Sequence, residues 1–247
     1  MKQFRRTLAL VLAALTLLAA LGTAALADYK VVTVTKGKWY KVYSEEKTKN
    51  IYKLTLSKDS LLTCTTKNQT EQSILEFEIF LKKSCDWDCY SGGFGLCVNG
   101  STSETIALAK GTYYFKVYDK SGKPSFKLTT KAIPSYKNTT KAKAATLKQN
   151  AKVMCTHTQN GPKNLWYKIK LTKKQKISIG MDPCSGYRDL KFITLYNSQG
   201  KKVALKYGES WEDCVTKSKQ SAGTYYIQLK NPNFEYKQGG YGNLYWY

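Results

Sequence analysis

Beyond the first 27 residues, apolar and polar positions alternate in short runs. Tyr52, Leu54 and Leu56 are separated by Lys53 and Thr55, and Tyr167, Ile169 and Leu171 by Lys168 and Lys170. A period of two sends successive side chains to opposite faces of a strand, so each run is expected to bury one face and wet the other. Turn-forming pairs such as Ser121-Gly122, Gln199-Gly200 and Gly239-Gly240 fall between the runs. After the first 27 residues no stretch sustains a helical spacing with caps. Many short strands rich in β-branched and aromatic residues predict an all-β chain built from jelly-roll-like antiparallel β-sandwiches.

The runs recur. Asn50-Ile51-Tyr52-Lys53-Leu54-Thr55-Leu56 returns as Leu165-Trp166-Tyr167-Lys168-Ile169-Lys170-Leu171, which sets Tyr52 over Tyr167. Leu75-Glu76-Phe77-Glu78-Ile79 returns at the same offset as Leu190-Lys191-Phe192-Ile193-Thr194, and Gly111-Thr112-Tyr113-Tyr114 returns as Gly223-Thr224-Tyr225-Tyr226. A period of more than 100 residues is longer than the roughly 20 to 50 of stacked repeats, so it predicts a duplicated whole domain. The expected division is a first sandwich over 28–132, a linker over 133–141 and a second sandwich over 142–247.

Residues 1–27 set Lys2, Arg5 and Arg6 ahead of an apolar run from Leu8 to Leu21, followed by Ala25-Leu26-Ala27. This is the layout of a secretory signal peptide cut before Asp28. The run is shorter than the roughly 20 residues a membrane-crossing helix needs, and no second one follows, so export without membrane insertion is expected.

The order aromatic-Tyr-Lys-apolar-x-Leu, then Leu-x-Phe, then Gly-Thr-Tyr-Tyr, then a closing strand (Ser125-Phe126-Lys127-Leu128 and Tyr241-Gly242-Asn243-Leu244) resembles the bacterial pre-peptidase C-terminal domains, in two tandem copies. The resemblance implies small jelly-roll sandwiches appended to secreted peptidases and other exported proteins, not themselves catalytic. Related domains of clostridial collagenases bind collagen through exposed aromatics and take calcium, but no acidic run here maps onto that calcium site.

Losing the leader removes three of the 40 basic residues and no acidic one, leaving a net charge of about +20. Arg188 is then the only arginine. Lysine is a hydrated point charge without the planar fork that reads bases and phosphates, so a polyanion-attracting surface is expected and specific nucleic-acid recognition is not. All seven cysteines lie in the exported part, where disulfides form. Cys64, Cys85, Cys89, Cys97, Cys184 and Cys214 are the disulfide candidates, with no connectivity fixed by spacing.

The sole histidine, His157, stands two residues from Cys155 with no third group to orient it, which argues against a thiol nucleophile or a zinc site. Cys85-Asp86-Trp87-Asp88-Cys89 and Trp211-Glu212-Asp213-Cys214 place tryptophans among carboxylates. Asp86, Asp88, Glu212 and Asp213 are calcium candidates, too few without backbone carbonyls. They are also too poorly matched between the copies for a glycosidase pair. The plainer reading is a pair of disulfide-stapled loops displaying aromatics. No cofactor is expected.

Nineteen tyrosines and five tryptophans exceed what two small cores require. Aromatic rings with a polar tip suit sugars and peptide chains. Trp87, Tyr90, Trp211, Tyr187 and Tyr207 are the leading ligand-binding candidates. Trp39, Trp166, Trp246 and Tyr43 follow, with Trp39 and Trp166 also readable as core. The function expected is a secreted, non-catalytic binding or adhesion protein. Its partner would be an extracellular polysaccharide, an anionic cell-wall polymer or a matrix protein, engaged through aromatics and lysines. The alternative is a secreted hydrolase or an accessory subunit of a secreted peptidase.

Overall fold

Tyr52, Leu54 and Leu56 are 4%, 2% and 2% exposed, whereas Thr55 between them faces solvent. The alternation in the sequence is thus the alternation of a strand with one wet face. This computed structural model describes residues 30–42, 50–67, 73–83, 85, 90–98, 102–119, 125–185, 190–208, 213–231 and 238–247, with backbone alone at 73–74, 90–98, 119, 183–185 and 238. The expected signal peptide over 1–27 lies outside them.

The N-terminal half contains β1 (Lys30–Thr33), β2 (Trp39–Lys41), β3 (Asn50–Leu56), β4 (Ser60–Lys67), β5 (Ser73–Phe80), β6 (Tyr90–Val98), β7 (Ser103–Leu108), β8 (Gly111–Asp119) and β9 (Ser125–Ala132). The C-terminal half contains β10 (Ala145–Thr146), β11 (Val153–His157), β12 (Asn164–Leu171), β13 (Ser178–Ser185), β14 (Ile193–Asn197), β15 (Lys202–Val203), β16 (Leu205–Tyr207), β17 (Asp213–Thr216), β18 (Gly223–Lys230) and β19 (Gln238–Trp246). The described residues hold no α-helix, only one 3-10 turn at Lys141–Lys143.

The strand order is written twice. One sheet runs β1-β3-β8-β5-β6 and a second runs β10-β12-β18-β14-β15. In each, the first pair is parallel and the rest antiparallel. The remaining strands form one nine-stranded sheet, ordered β16-β17-β13-β19-β7-β4-β9-β2, with β11 also paired to β19. Within it β2-β9-β4-β7 matches β11-β19-β13-β17. The fold is all-β, with antiparallel sheets packed as sandwiches. One apolar core is drawn from residues 34–128 and the other from residues 147–246.

Register tests the repeat residue by residue. Tyr52 lies opposite Phe115 and Leu56 opposite Gly111; likewise Tyr167 lies opposite Ile227 and Leu171 opposite Gly223. At the Leu-x-Phe block the sequence alignment slips by one residue. Phe77 faces Val117, but its counterpart opposite Leu229 is Ile193, not Phe192. A turn closed by Ile193 N–H donating to Leu190 O (2.9 Å) delays the strand, and Phe192 stays buried within that turn. One residue is enough to exchange the faces of a strand, so the turn restores the inward set.

Gly-Thr-Tyr-Tyr has a structural explanation in both copies. Tyr113 is buried and its hydroxyl donates to Ala109 O at 2.6 Å, while Tyr225 donates to Ser221 O at 3.0 Å. A tyrosine at the start of a strand that bonds back four residues fixes the corner through which the chain enters the sheet. Gly223 has φ +151°, a conformation open to glycine, and the second tyrosines, Tyr114 and Tyr226, face outward.

The halves are joined by backbone. Gln238 and Gly239, at the start of β19, pair with Leu108 and Ala107 of β7. Asp59, in the turn before β4, accepts Lys110 N–H at 2.8 Å and the Thr158 hydroxyl, and its own carbonyl accepts Ile133 N–H at 2.9 Å. A Cβ on Gly239 would run into the His157 carbonyl, so the close approach of β11 requires glycine there. Residues expected as linker are packed: Tyr136 lies against the second core, and buried Asn138 is bonded to Trp166 through both Asn138 Nδ2 to Trp166 O (2.9 Å) and Trp166 N–H to Asn138 O (2.8 Å).

His157 is fully buried at this junction, and burial lowers its pKa from 6.5 to about 4. The unfolded chain therefore takes up a proton that the folded one refuses between these values. Stability should be flat with respect to this group above about pH 6.5 and fall as pH drops toward 4, by on the order of 3 kcal/mol. Melting curves of wild type and His157→Gln across pH 4 to 7 check this. The wild-type-minus-variant difference should shrink on acidification, and a constant difference would contradict the burial argument.

Candidate functional site

The matching sheets of the two halves carry different residues on one of their outward rows. In the N-terminal half Thr129, Thr63 and Thr105 lie side by side on β9, β4 and β7. The matching row on β19, β13 and β17 is Tyr245, Gly180 and Asp213. Thr63 Oγ1 and Thr105 Oγ1 bond each other at 2.8 Å, a polar sheet surface satisfied within itself. In the C-terminal half the middle position is glycine, and the tyrosine ring lies over its backbone.

The fit is tight. A Cβ on Gly180 would stand 2.5 Å from Tyr245 Cζ and 2.8 Å from Cε2. Glycine inside a strand marks such a close approach. Tyr247, two residues on and therefore on the same face, places its ring 6.0 Å from that of Tyr245 at an interplanar angle of 20° and is 48% exposed. Trp246 between them points inward: it is 2% exposed and its indole N–H donates to Leu147 O at 2.9 Å. The three C-terminal aromatics thus split into one core residue and a two-ring platform.

Charged groups border the platform. Lys152 Nζ pairs with Asp182 Oδ2 at 2.8 Å and stands 5.4 Å from the Tyr245 ring centroid. The hydrogen bond to Asp182, then its charge, raise the Lys152 pKa. Burial, then the neighbouring Tyr247 and Asp182, raise that of the Tyr245 phenol, so it remains a neutral donor. Chemically the arrangement offers a flat apolar surface with a hydroxyl, a carboxylate and an ammonium at its edge. It holds no nucleophile.

A second aromatic group, Trp166 with Tyr196 (centroids 5.6 Å), covers the opposite sheet of this half. The Tyr196 hydroxyl is engaged internally, donating to Gln228 Oε1 (3.0 Å), whose amide donates through Nε2 to Asn164 Oδ1 (2.8 Å).

The residues singled out from sequence fare differently. Tyr207 is 38% exposed, yet its hydroxyl turns back to Ile193 O at 3.4 Å and bridges to the facing sheet rather than joining the platform. Asp213 lies in the platform row, and its Oδ1 fills the space beside Gly208. Among the described residues no group of three or more His, Cys, Asp or Glu gathers as a metal site. Tyr43, Asp86, Trp87, Asp88, Cys89, Tyr187, Trp211 and Glu212 lie outside the described residues, as do the side chains of Tyr90, Cys97 and Cys184. Sequence reasoning passed over Tyr245, Tyr247 and Gly180. The available signal was the C-terminal Tyr-Trp-Tyr, whose period of two separates its members between faces.

The expected disulfide partners Cys64 and Cys214 are instead buried free thiols, each inside one core, where cysteine packs as a small apolar residue. Cys85 is half-buried, with Sγ 3.9 Å from Lys82 O. Cys155 is also a free thiol in the core and donates to Tyr167 Oη at 3.1 Å. Burial pushes Cys155 and Cys214 up to about 12, and Cys64 higher still, away from the thiolate that a nucleophile requires.

Among solved structures, the chain is similar to the pre-peptidase C-terminal domain of collagenase from Bacillus anthracis (14% identity, 42% of this chain and 96% of that one, TM-score 0.31). It is also similar to the PBSX exported protein XepA (10% identity, 87% and 88%, TM-score 0.27) and to the Macrobrachium rosenbergii Nodavirus structure (10% identity, 84% and 92%, TM-score 0.21). No family model matches the chain, and neither does any curated protein. At such TM-scores the likenesses fix no relationship.

Native and denatured protein should differ sharply in alkylation by iodoacetamide. Cys64, Cys155 and Cys214 are expected to label only after denaturation, with no reductant needed. Mass mapping that finds any of the three label-resistant until reduced would show a bridge and contradict the packing described.

Proposed function

We propose that this chain is a secreted, non-catalytic binding protein that holds an extracellular glycan against the Tyr245–Tyr247 platform. The observation that carries the reading is the Tyr245 ring seated on Gly180, where the duplicated half has a threonine row. The apolar C–H face of a sugar ring packs on an aromatic face, and hydroxyls at the ring's rim find the phenol, Asp182 and Lys152. A ring already flattened on the sheet loses little freedom on binding, so more of the contact energy remains as affinity.

Export rests on the layout of residues 1–27, and non-catalysis on the neutral, buried state of His157 and Cys155. The reading takes the two sandwiches as a duplicated module of the pre-peptidase C-terminal kind, on the strength of the repeated motif and strand order.

A neutral-glycan array followed by calorimetry tests the proposal. Tyr245→Ala should weaken the best neutral oligosaccharide at least tenfold, about 1.4 kcal/mol, and Gly180→Val should do the same by lifting the ring. Tyr245→Phe should retain most of the affinity. A blank array, or unchanged affinity in Tyr245→Ala with its melting temperature intact, would refute it.

A further inference from the structure

The N-terminal half carries a different surface on the corresponding sheet. Trp39, on the edge strand β2, lies directly opposite Lys127 of β9. Lys67 Nζ stands 4.6 Å from the Trp39 ring centroid and Lys127 Nζ stands 5.0 Å from it. Each ammonium is attracted to the electron-rich ring, but the two repel each other, and neither has a carboxylate partner among the described residues. Lys41 and Lys67 flank Ser125 in the adjoining row, and Lys41, two residues along β2 from Trp39, lies on the same sheet face. Cross-strand neighbours lie about 5 Å apart and successive outward residues about 7 Å, so these charges form a grid rather than a single point.

We propose that Trp39, Lys67, Lys127 and Lys41 form a binding site for an anionic polysaccharide, one that repeats carboxylate or sulfate groups along a chain of sugar rings. An anion placed between the two ammoniums relieves their repulsion, an arrangement that randomly scattered surface lysines lack. Hydroxyls continue the row inward, where Ser103 Oγ donates to Thr65 Oγ1 at 3.1 Å, and they suit sugar hydroxyls or sulfate oxygens. The same row has no arginine, which favours an anionic glycan over a nucleic-acid backbone. The site rests on the reading of the chain as a polymer binder but is independent of the Tyr245 platform.

The test measures binding of dextran sulfate, neutral dextran and single-stranded DNA to the mature chain at several salt concentrations. The double variant Lys67→Gln/Lys127→Gln should weaken dextran sulfate at least tenfold and flatten its salt dependence, while Trp39→Leu weakens it severalfold with both charges kept. The charge-matched pair Lys168→Gln/Lys170→Gln, in the other half, should stay within twofold of wild type. Tyr245→Ala should leave dextran sulfate untouched, so failure of the platform and failure of this site are separable. Equal losses in the two double variants would reduce the effect to diffuse attraction and overturn the proposal. Tighter binding of DNA than of dextran sulfate would overturn it as well.

Discussion

β19 is the strand on which most of this structure depends. It pairs with β13 over Tyr241–Trp246, with β11 over Gly240–Leu244, and through Gln238 and Gly239 with β7 of the other half. Its register decides at once which aromatics are buried and whether the two halves share a sheet. A slip of one residue would expose Leu244 and Trp246 and drive Tyr245 into the core. The packing of Leu244 and Trp246, together with the indole bond to Leu147 O, holds the register that sets the platform outside.

The inward faces of the two halves match at several positions, although Thr130 beside Leu62 has Trp246 beside Ile179 as its counterpart. Leu62 and Ile179, Cys64 and Met181, and Leu128 and Leu244 occupy matching core positions with little change of character. On the outward face, the N-terminal half has Thr129–Thr63–Thr105 where the C-terminal half has Tyr245–Gly180–Asp213. Trp39 with its two lysines has no aromatic counterpart across the duplication. Two sandwiches alike inside thus present two unlike surfaces, one flat and aromatic, the other cationic. The Asp59 contacts and the β19–β7 pairing bind the two halves into one sheet.

The period-two pattern made the strands legible, and the repeated blocks matched β3 to β12, β5 to β14, β8 to β18 and β9 to β19. The Phe77–Phe192 match failed by one residue because a tight turn at Leu190–Ile193 inserts between the blocks, and turns leave little trace in hydrophobic spacing. Compartment and count made Cys64 and Cys214 disulfide candidates, whereas both serve as core residues. The platform was invisible for a further reason. It needs Gly180 and Tyr245 to be neighbours across a sheet, and that proximity depends on a long-range register no local pattern states.

On the proposed reading, a polymer is held on an open sheet face and left chemically intact. The most direct test of that reading is a crystal structure of the mature chain with a neutral oligosaccharide bound. The account predicts an unbroken sugar chain with one ring stacked on Tyr245 and its rim toward Asp182 and Lys152. A sugar seated in a closed cleft away from β19, or one found cleaved, would contradict it.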